Sequence, residues 1–246
     1  MSSACGKSCK KITGWRFSPL YIISFDKLMD YQRLDRYVNP ENFRGRPAVF
    51  VQLWWLVQKT LFAWSPQFMF GWRRFLLRLF GAKIGKKVHV RPSCQITFPW
   101  KVSIGDYAWV GDDVVLYSLG EIEIGEHAVI SQRAYLCTGS HDYSAIGFDI
   151  YQKPVRIGAQ VWIAADVYVA PGVVIGAGAV VGARSTVFQD LPGGMICYGY
   201  PAVPVRSRET WEQGHRLPLS EGQKDSQFYS CPGKIAEEQI RSKVQP

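Results

Sequence analysis

Histidine is scarce in this chain, and one of its four copies stands where the sequence changes character. His141 lies in TGSHDYSAIGFDIYQKPVRIG, residues 138–158. An imidazole titrating near about 6.5 takes up a proton readily at neutral pH, which suits a general base. Asp142 follows it and has two readings, an orienting partner for the imidazole or a bond to the backbone of its own loop. Cys137 stands four residues before His141 and would permit a thiol acyl-enzyme, although its place in the surrounding pattern calls for a small residue. His89 and His127 fall at outward positions of that pattern, and His215 lies near the C-terminus. The sequence has no GxSxG elbow, no P-loop and no GxGxxG fingerprint.

The element that must hold His141 is a repeat. From Ile157 the chain reads IGAQVW, IAADVY, VAPGVV, IGAGAV, VGARST, VFQDLP. The lead position is Ile or Val in all six hexads, and the second is Gly or Ala in five of the six. The pattern is looser upstream, where Ile84, Ile104 and Ile124 recur at intervals of 20, three hexads plus two residues. The extra pairs, Val102–Ser103 and Ile122–Glu123, are expected as small bulges at one corner. A period of six fits neither a helix nor a two-sided strand. It fits a short strand and a corner, three of which close a triangular coil with the lead and fifth residues pointing inward. Glycine at the second position is expected to serve tight or left-handed backbone. About five coils stacked about 4.8 Å apart give a column roughly 25 Å tall. His141 closes the hexad LCTGSH and opens an excursion that ends at Pro154, a candidate pocket wall, since loops on rigid scaffolds carry function.

The rest of the chain divides by composition. Residues 1–83 hold 14 Lys/Arg against 4 Asp/Glu, and residues 84–246 hold 15 against 16, so the net charge of +9 belongs to the N-terminal third. Residues 1–47 read as an irregular tail, 48–82 as a helical cap, 83–192 as the repeat domain with a loop at 142–156, and 193–246 as a C-terminal extension. The cap would cover the open edge of the column. Its tryptophans and arginines also suggest peripheral membrane contact through residues 48–80. The most apolar window, residues 48–64, contains Gln52, Gln58 and Lys59, and is short and polar for a spanning helix. No secretory signal is evident, and the six cysteines form no CxxC pair, which points to reduced thiols and a cytoplasmic protein. A near-neutral column and an apolar basic segment argue against nucleic acid as a partner.

The hexads, the TGSHD break, VWIAADVYVAPGVVIGAGAVVGARSTV and QDLPGGMICYGYPA together resemble the hexapeptide-repeat acyltransferases. RLFGAKIGKKVHVRPS and TFPWKVSIGDYAWVGDD resemble the branch of colanic acid biosynthesis acetyltransferases. The resemblance implies a mainly β fold, a left-handed parallel β-helix that assembles as a homotrimer, with acetyl-CoA in clefts between columns. It implies His141 as the base that deprotonates an acceptor hydroxyl, which attacks the thioester directly. Trp162 matches the position lining the pantetheine channel, and Ala164, Ala165, Gly182 and Ala183 match backbone contacts to the cofactor. Arg206 matches a basic residue near the CoA phosphates. Asp112 and Asp113 fall near the acceptor pocket, or are exposed turn residues. Gln189, Val203 and Tyr200 depart from the family pattern, which has Lys or Arg at the first two and Asn at the third.

The combined reading is an acetyl-CoA-dependent O-acetyltransferase acting on a sugar hydroxyl in exopolysaccharide or surface-glycan biosynthesis, with no metal. Two rivals share the repeat. A zinc hydratase of the same fold needs three gathered histidine ligands, and His127 and His141 have no third candidate nearby. A non-catalytic scaffold leaves the SHD break unexplained.

Overall fold

A computed structural model describes residues 31–40 and 42–208. The expectations for residues 1–30 and 209–246, among them Cys5, Cys9, His215 and Cys231, lie outside the described residues.

Five coils follow one another. Coil one contains β1 (Lys83–Ile84), β2 (His89–Val90) and β3 (Gln95–Ile96). Coil two contains β4 (Val102–Ile104), β5 (Trp109–Val110) and β6 (Val115–Tyr117). Coil three contains β7 (Ile122–Ile124), β8 (Val129–Ile130) and β9 (Tyr135–Cys137), after which the chain leaves the column through β10 (Gly139–His141) and β11 (Ile150–Gln152). Coil four contains β12 (Val155–Ile157), β13 (Trp162–Ile163) and β14 (Tyr168–Val169). Coil five contains β15 (Val174–Ile175), β16 (Val180–Val181) and β17 (Thr186–Val187). The strands stack in parallel into three faces. The first holds β1, β4, β7, β12 and β15, the second β2, β5, β8, β13 and β16, and the third β3, β6, β9, β14 and β17. Ile104 pairs with Ile124, Ile124 with Ile157, and Ile157 with Ile175. The expected lead residues thus stack directly above one another.

The lead and fifth residues fill the prism. Val90, Ile130, Ile163 and Val181 at lead positions, and Val88, Ala108, Ala134 and Val167 at fifth positions, are all buried. Each buried branched aliphatic contributes about 1.5–3 kcal/mol relative to exposure. The two-residue insertions do not make corner bulges. They lengthen β4 and β7 by one inward step, and Val102, Ile122 and Val155 add a layer to the core. Glycine at the second position is explained by crowding. A Cβ on Gly105 would lie 2.5 Å from the backbone nitrogen of Glu126, and one on Gly176 would lie 2.3 Å from that of Gly193. The left-handed residue is the fourth of the hexad: Lys87, Tyr107, Asp113, His127, Arg133, Gln160, Asp166 and Arg184 have φ of 50–60°. That turn aims the N–H along the column, as in Tyr107 N–H to Lys86 O at 2.8 Å and His127 N–H to Asp106 O at 2.8 Å.

Two helices lie on coil one, α1 (Ala48–Val57), continued by a π-helical turn at Gln58–Phe62, and α2 (Phe70–Leu79). They meet the carbonyls that a preceding coil would have used. Arg73 donates to Val90 O at 2.6 Å, Arg74 to Val88 O at 2.9 Å, and Arg78 to Ile84 O at 2.7 Å and Gly85 O at 2.8 Å. Trp54 Nε1 donates to Ile96 O at 2.8 Å, and the Gln58 side-chain oxygen accepts from Ile96 N–H at 2.7 Å. Arg73 is fully buried and also donates to Ser65 Oγ, Pro66 O and Gln67 O. At the other end β18 (Met195–Gly199) adds a sixth parallel strand to the second face, and β19 (Ala202–Ser207) returns antiparallel beside it.

Candidate active site

The interruption after β9 is a β-hairpin rather than an irregular loop. Gly139 pairs with Gln152, Ser140 with Tyr151 and His141 with Ile150. Its base is tied to the column. Buried Thr138 donates to Tyr117 O at 2.6 Å and accepts from Gly120 N–H at 2.8 Å. Gly139 packs closely on Leu119, whose Cδ1 would lie 2.5 Å from a Cβ at that position and would have to move aside. Lys101 Nζ donates to the carbonyls of Phe43 and Leu119 and to Gln152 Oε1, which joins the hairpin to the coils before it. Desolvation pulls the Lys101 ammonium below its ordinary pKa, with Glu121 acting the other way.

His141 is half-buried at the end of β10. Its Nδ1 lies 2.8 Å from Phe148 O. A carbonyl accepts and never donates, so Nδ1 carries a proton and Nε2 is the ring nitrogen left to act as a base. The Phe148 ring stacks on the imidazole at 4.2 Å and 6°. Phe148 holds this position with φ of 53°. A third ring, Tyr37, lies 6.3 Å from His141, because the segment around it crosses the hairpin and Arg33 N–H donates to Ile146 O at 2.6 Å. Part of the expected tail is therefore a wall beside His141.

The structure does not bring Asp142 to the imidazole. Its carboxylate accepts from Ser144 N–H at 2.9 Å and Ser144 Oγ at 2.5 Å, which hold its pKa below the usual carboxylate value. The Phe148 carbonyl, not the Asp142 carboxylate, is bonded to the imidazole. Cys137 is buried and its thiol donates to Gly139 O at 3.0 Å, a packed rather than an accessible nucleophile.

The other expected residues lie at a different corner of the prism. The hairpin leaves between the third and first faces. Asp112, Asp113, Ala164, Ala165, Gly182 and Ala183 lie on the turns between the second and third. Asp112 pairs with Arg91 at 3.2 Å and accepts from Ser93 Oγ, and Asp113 is one of the left-handed corner residues. The N–H groups of Ala164 and Gly182 are used in the ladder, by Val181 O at 3.0 Å and Cys197 O at 2.8 Å. Trp162 is exposed on the second face, with Nε1 donating to Ser131 Oγ at 3.0 Å. It lines a 520 Å³ cavity with His127, Val129, Gln160, Val161 and Arg208. Arg208, not Arg206, is the cation of that cavity; it donates to Gln160 O and Gly178 O, while Arg206 pairs with Ile196 across the terminal hairpin. Two residues apart on a strand share a side, so spacing could not separate these arginines.

Between the two corners the third face carries rings. Tyr117, Tyr135, Tyr168 and Phe188 follow one another with centroids 5.9–6.3 Å apart, and Tyr200 continues the row at 6.2 Å. Burial, then the neighbouring Cys137, pushes the Tyr135 phenol up to about 12. Among the described residues no group of three or more His, Cys, Asp or Glu side chains gathers as a metal site.

The family model for bacterial transferase hexapeptides (six repeats) matches residues 154–189. The colanic acid biosynthesis acetyltransferase WcaF of Escherichia coli (strain K12) is 62% identical over 177 residues, which cover 72% of this chain and 97% of that protein. The chain belongs to this family of hexapeptide-repeat acetyltransferases. Its fold is accordingly the left-handed parallel β-helix. A maltose O-acetyltransferase from Clostridium difficile 630 superposes with a TM-score of 0.62 at 25% identity, covering 71% of this chain and 92% of that one. A hexapeptide-repeat acetyltransferase of Vibrio cholerae O1 biovar eltor, solved with acetyl-CoA, superposes with a TM-score of 0.61 at 28% identity, covering 68% and 92%. This acetyltransferase shares its fold with both.

Proposed function

We propose that this acetyltransferase moves an acetyl group from acetyl-CoA to a sugar hydroxyl during surface-glycan assembly, in the cytoplasm at the inner face of the membrane. The observation that carries the mechanism is His141, locked by the Phe148 carbonyl so that Nε2 is left to accept a proton. The acceptor oxygen attacks the thioester carbonyl as its proton passes to Nε2. The tetrahedral oxyanion is stabilised by backbone N–H groups. It collapses with loss of the C–S bond, and the CoA thiolate takes the proton from the imidazolium. No covalent enzyme intermediate is required.

The cofactor residues and His141 occupy different corners of one column, separated by the ring-bearing third face. This supports a homotrimer in which the third face of one column meets a neighbour, so that His141 of one chain works beside the cofactor held by the next. Trp162, Ala165, Ala183 and Arg208 are the residues assigned to the cofactor, with Asp112 and Asp113 toward the acceptor. The 62% identity to WcaF supports a glycan acceptor. A nucleotide sugar, a lipid-linked oligosaccharide and a small glycoside all fit this chemistry.

The test is calorimetric titration of the purified full chain with acetyl-CoA. Saturable binding near one site per chain is expected, followed by acetyl transfer to sugar acceptors. A folded trimer that binds no acetyl-CoA would return the protein to the scaffold reading.

A further inference from the structure

We infer that the outer face of the helical cap is a docking surface for an anionic bilayer. The inference deepens the membrane-side location proposed above and rests on that reading, not on acetyl transfer.

The inner face of the cap is satisfied by the column, and the outer face is not what solvent selects. On α1, Val51 and Trp54 point inward and are fully buried. The opposite stripe, Val49, Leu53 and Leu56, is spaced i, i+4, i+7 and is exposed. A surface helix carries charge on that side; here the stripe is aliphatic, and Gln52 is the one polar residue between Ala48 and Val57. On α2, Phe75 and Leu79 repeat the arrangement at i, i+4, opposite buried Leu76 and Leu77. The turn between the helices puts out Trp64, 83% exposed, and Phe68, 80% exposed. Apolar stripes and an exposed Trp–Phe tip on short helices suit a surface that enters the headgroup layer without crossing it. No helix among the described residues is long and apolar enough to cross a membrane.

Charge selects the occupant. Residues 42–105 contain no Asp or Glu. Exposed Arg44 and Arg46 lead into the cap, exposed Lys59 lies on it, and exposed Lys83, Lys86 and Lys87 belong to coil one, on which it sits. A second copy docked on this face through a two-fold axis would set one positive surface against another. Residues 1–30 are also net positive, with five Lys/Arg against two Asp, and add to the same charge. A bilayer containing anionic headgroups meets both features at once, with the rings at the interface and the cations over phosphate. Such docking would hold the hairpin beside lipid-borne acceptors.

The experiment is vesicle flotation of the full chain, comparing phosphatidylcholine alone with phosphatidylcholine containing phosphatidylglycerol. Binding to the anionic vesicles, weaker on neutral ones and falling with salt, is expected. The double variant Trp64→Ser/Phe68→Ser should bind the anionic vesicles about tenfold or more weakly while melting like wild type. Lys59→Ser/Lys87→Ser should weaken anionic binding and leave neutral binding unchanged. Failure of wild type to float with anionic vesicles, equal flotation of wild type and the ring variant, or a smaller assembly of the ring variant in sedimentation velocity would each overturn the inference. The last would mark the face as a contact between copies. Acetyl-CoA titration is insensitive to these changes, so the two proposals fail separately.

Discussion

Replacing His141 by alanine isolates the chemistry, because the imidazole is held by its surroundings and does little to hold them. Its side chain makes one hydrogen bond, to Phe148 O, and one close stack, on the Phe148 ring. Partly exposed positions of this kind usually change stability by less than about 1 kcal/mol when truncated. Catalysis should fall far more. A positioned general base contributes about 10²–10⁴ in rate, or about 2.7–5.4 kcal/mol at 1.36 kcal/mol per tenfold. The 2.8 Å bond and the 6° stack fix the ring before substrate arrives, which argues for the upper half of that range. The assay follows CoA release with a thiol reagent under saturating donor and acceptor, and acetyl-CoA affinity is measured separately by calorimetry. His141→Ala should keep that affinity and lose about 10³ or more in kcat. Phe148→Ala retains the carbonyl and removes the ring, and an aromatic pair is worth about 0.5–1.5 kcal/mol, so kcat should fall about two- to tenfold. In the His141→Ala background the Phe148 change should cost nothing further, since the two act as a unit. A His141→Ala enzyme within about tenfold of wild type, or a Phe148→Ala effect confined to KM for acetyl-CoA, would refute the assignment.

Other outcomes follow from the same geometry. Asp142→Ala should keep kcat within about threefold of wild type, because its carboxylate bonds Ser144 rather than the imidazole, and the same release assay checks it. Arg73→Leu should cost about 3 kcal/mol or more in urea unfolding, since it leaves Val90 O, Pro66 O and Gln67 O without the buried guanidinium that serves them. Gly105→Ala should lower stability by about 1–3 kcal/mol, because the neighbour 2.5 Å from the new methyl is backbone and cannot turn aside. Thermal melts should show Gly105→Ala lowered and Gly71→Ala raised, since Gly71 is an exposed helical position whose nearest atom is the Arg74 side chain at 3.8 Å and gains only helix propensity.

The column was legible because every sixth side chain meets the same core, so geometry writes itself into residue type. Lead residues such as Ile104 and fifth residues such as Ala108 are buried as the period requires. The reason for the glycines was not legible, since crowding by the next coil and a left-handed turn both select glycine. The left-handed corner fell instead on residues as varied as Tyr107 and Gln160, whose shared task is performed by the N–H that every residue but proline has. The same limit hid the partner of His141. Phe148 holds the imidazole through its carbonyl, and a carbonyl leaves no mark on composition. Tyr37 escaped for another reason: it comes 104 positions earlier in the chain and reaches the site across the hairpin tip.

The place of the break has its own logic. Coils one and two already leave strict register at the corner between the third and first faces, through the 3₁₀ turn Pro99–Lys101 and through residues 118–121. Coil three leaves at the same corner with a whole hairpin. Elsewhere a corner is fixed by crowded glycines and by N–H groups bonded to the coil before, and an insertion would break both. Here the irregular corners supply Leu119, Gly120 and Lys101 as a seat, and Thr138 closes the ladder across the gap. Substituting Thr138 by valine tests this link, because it keeps the shape and removes the hydroxyl that serves Tyr117 O and Gly120 N–H. Hydrogen exchange should rise in residues 139–152 while the coil cores stay protected, and kcat should fall with the loosened hairpin. Unchanged exchange in the hairpin would mean that Lys101 and Leu119 suffice to seat it, and that the threonine is not what holds His141 in place.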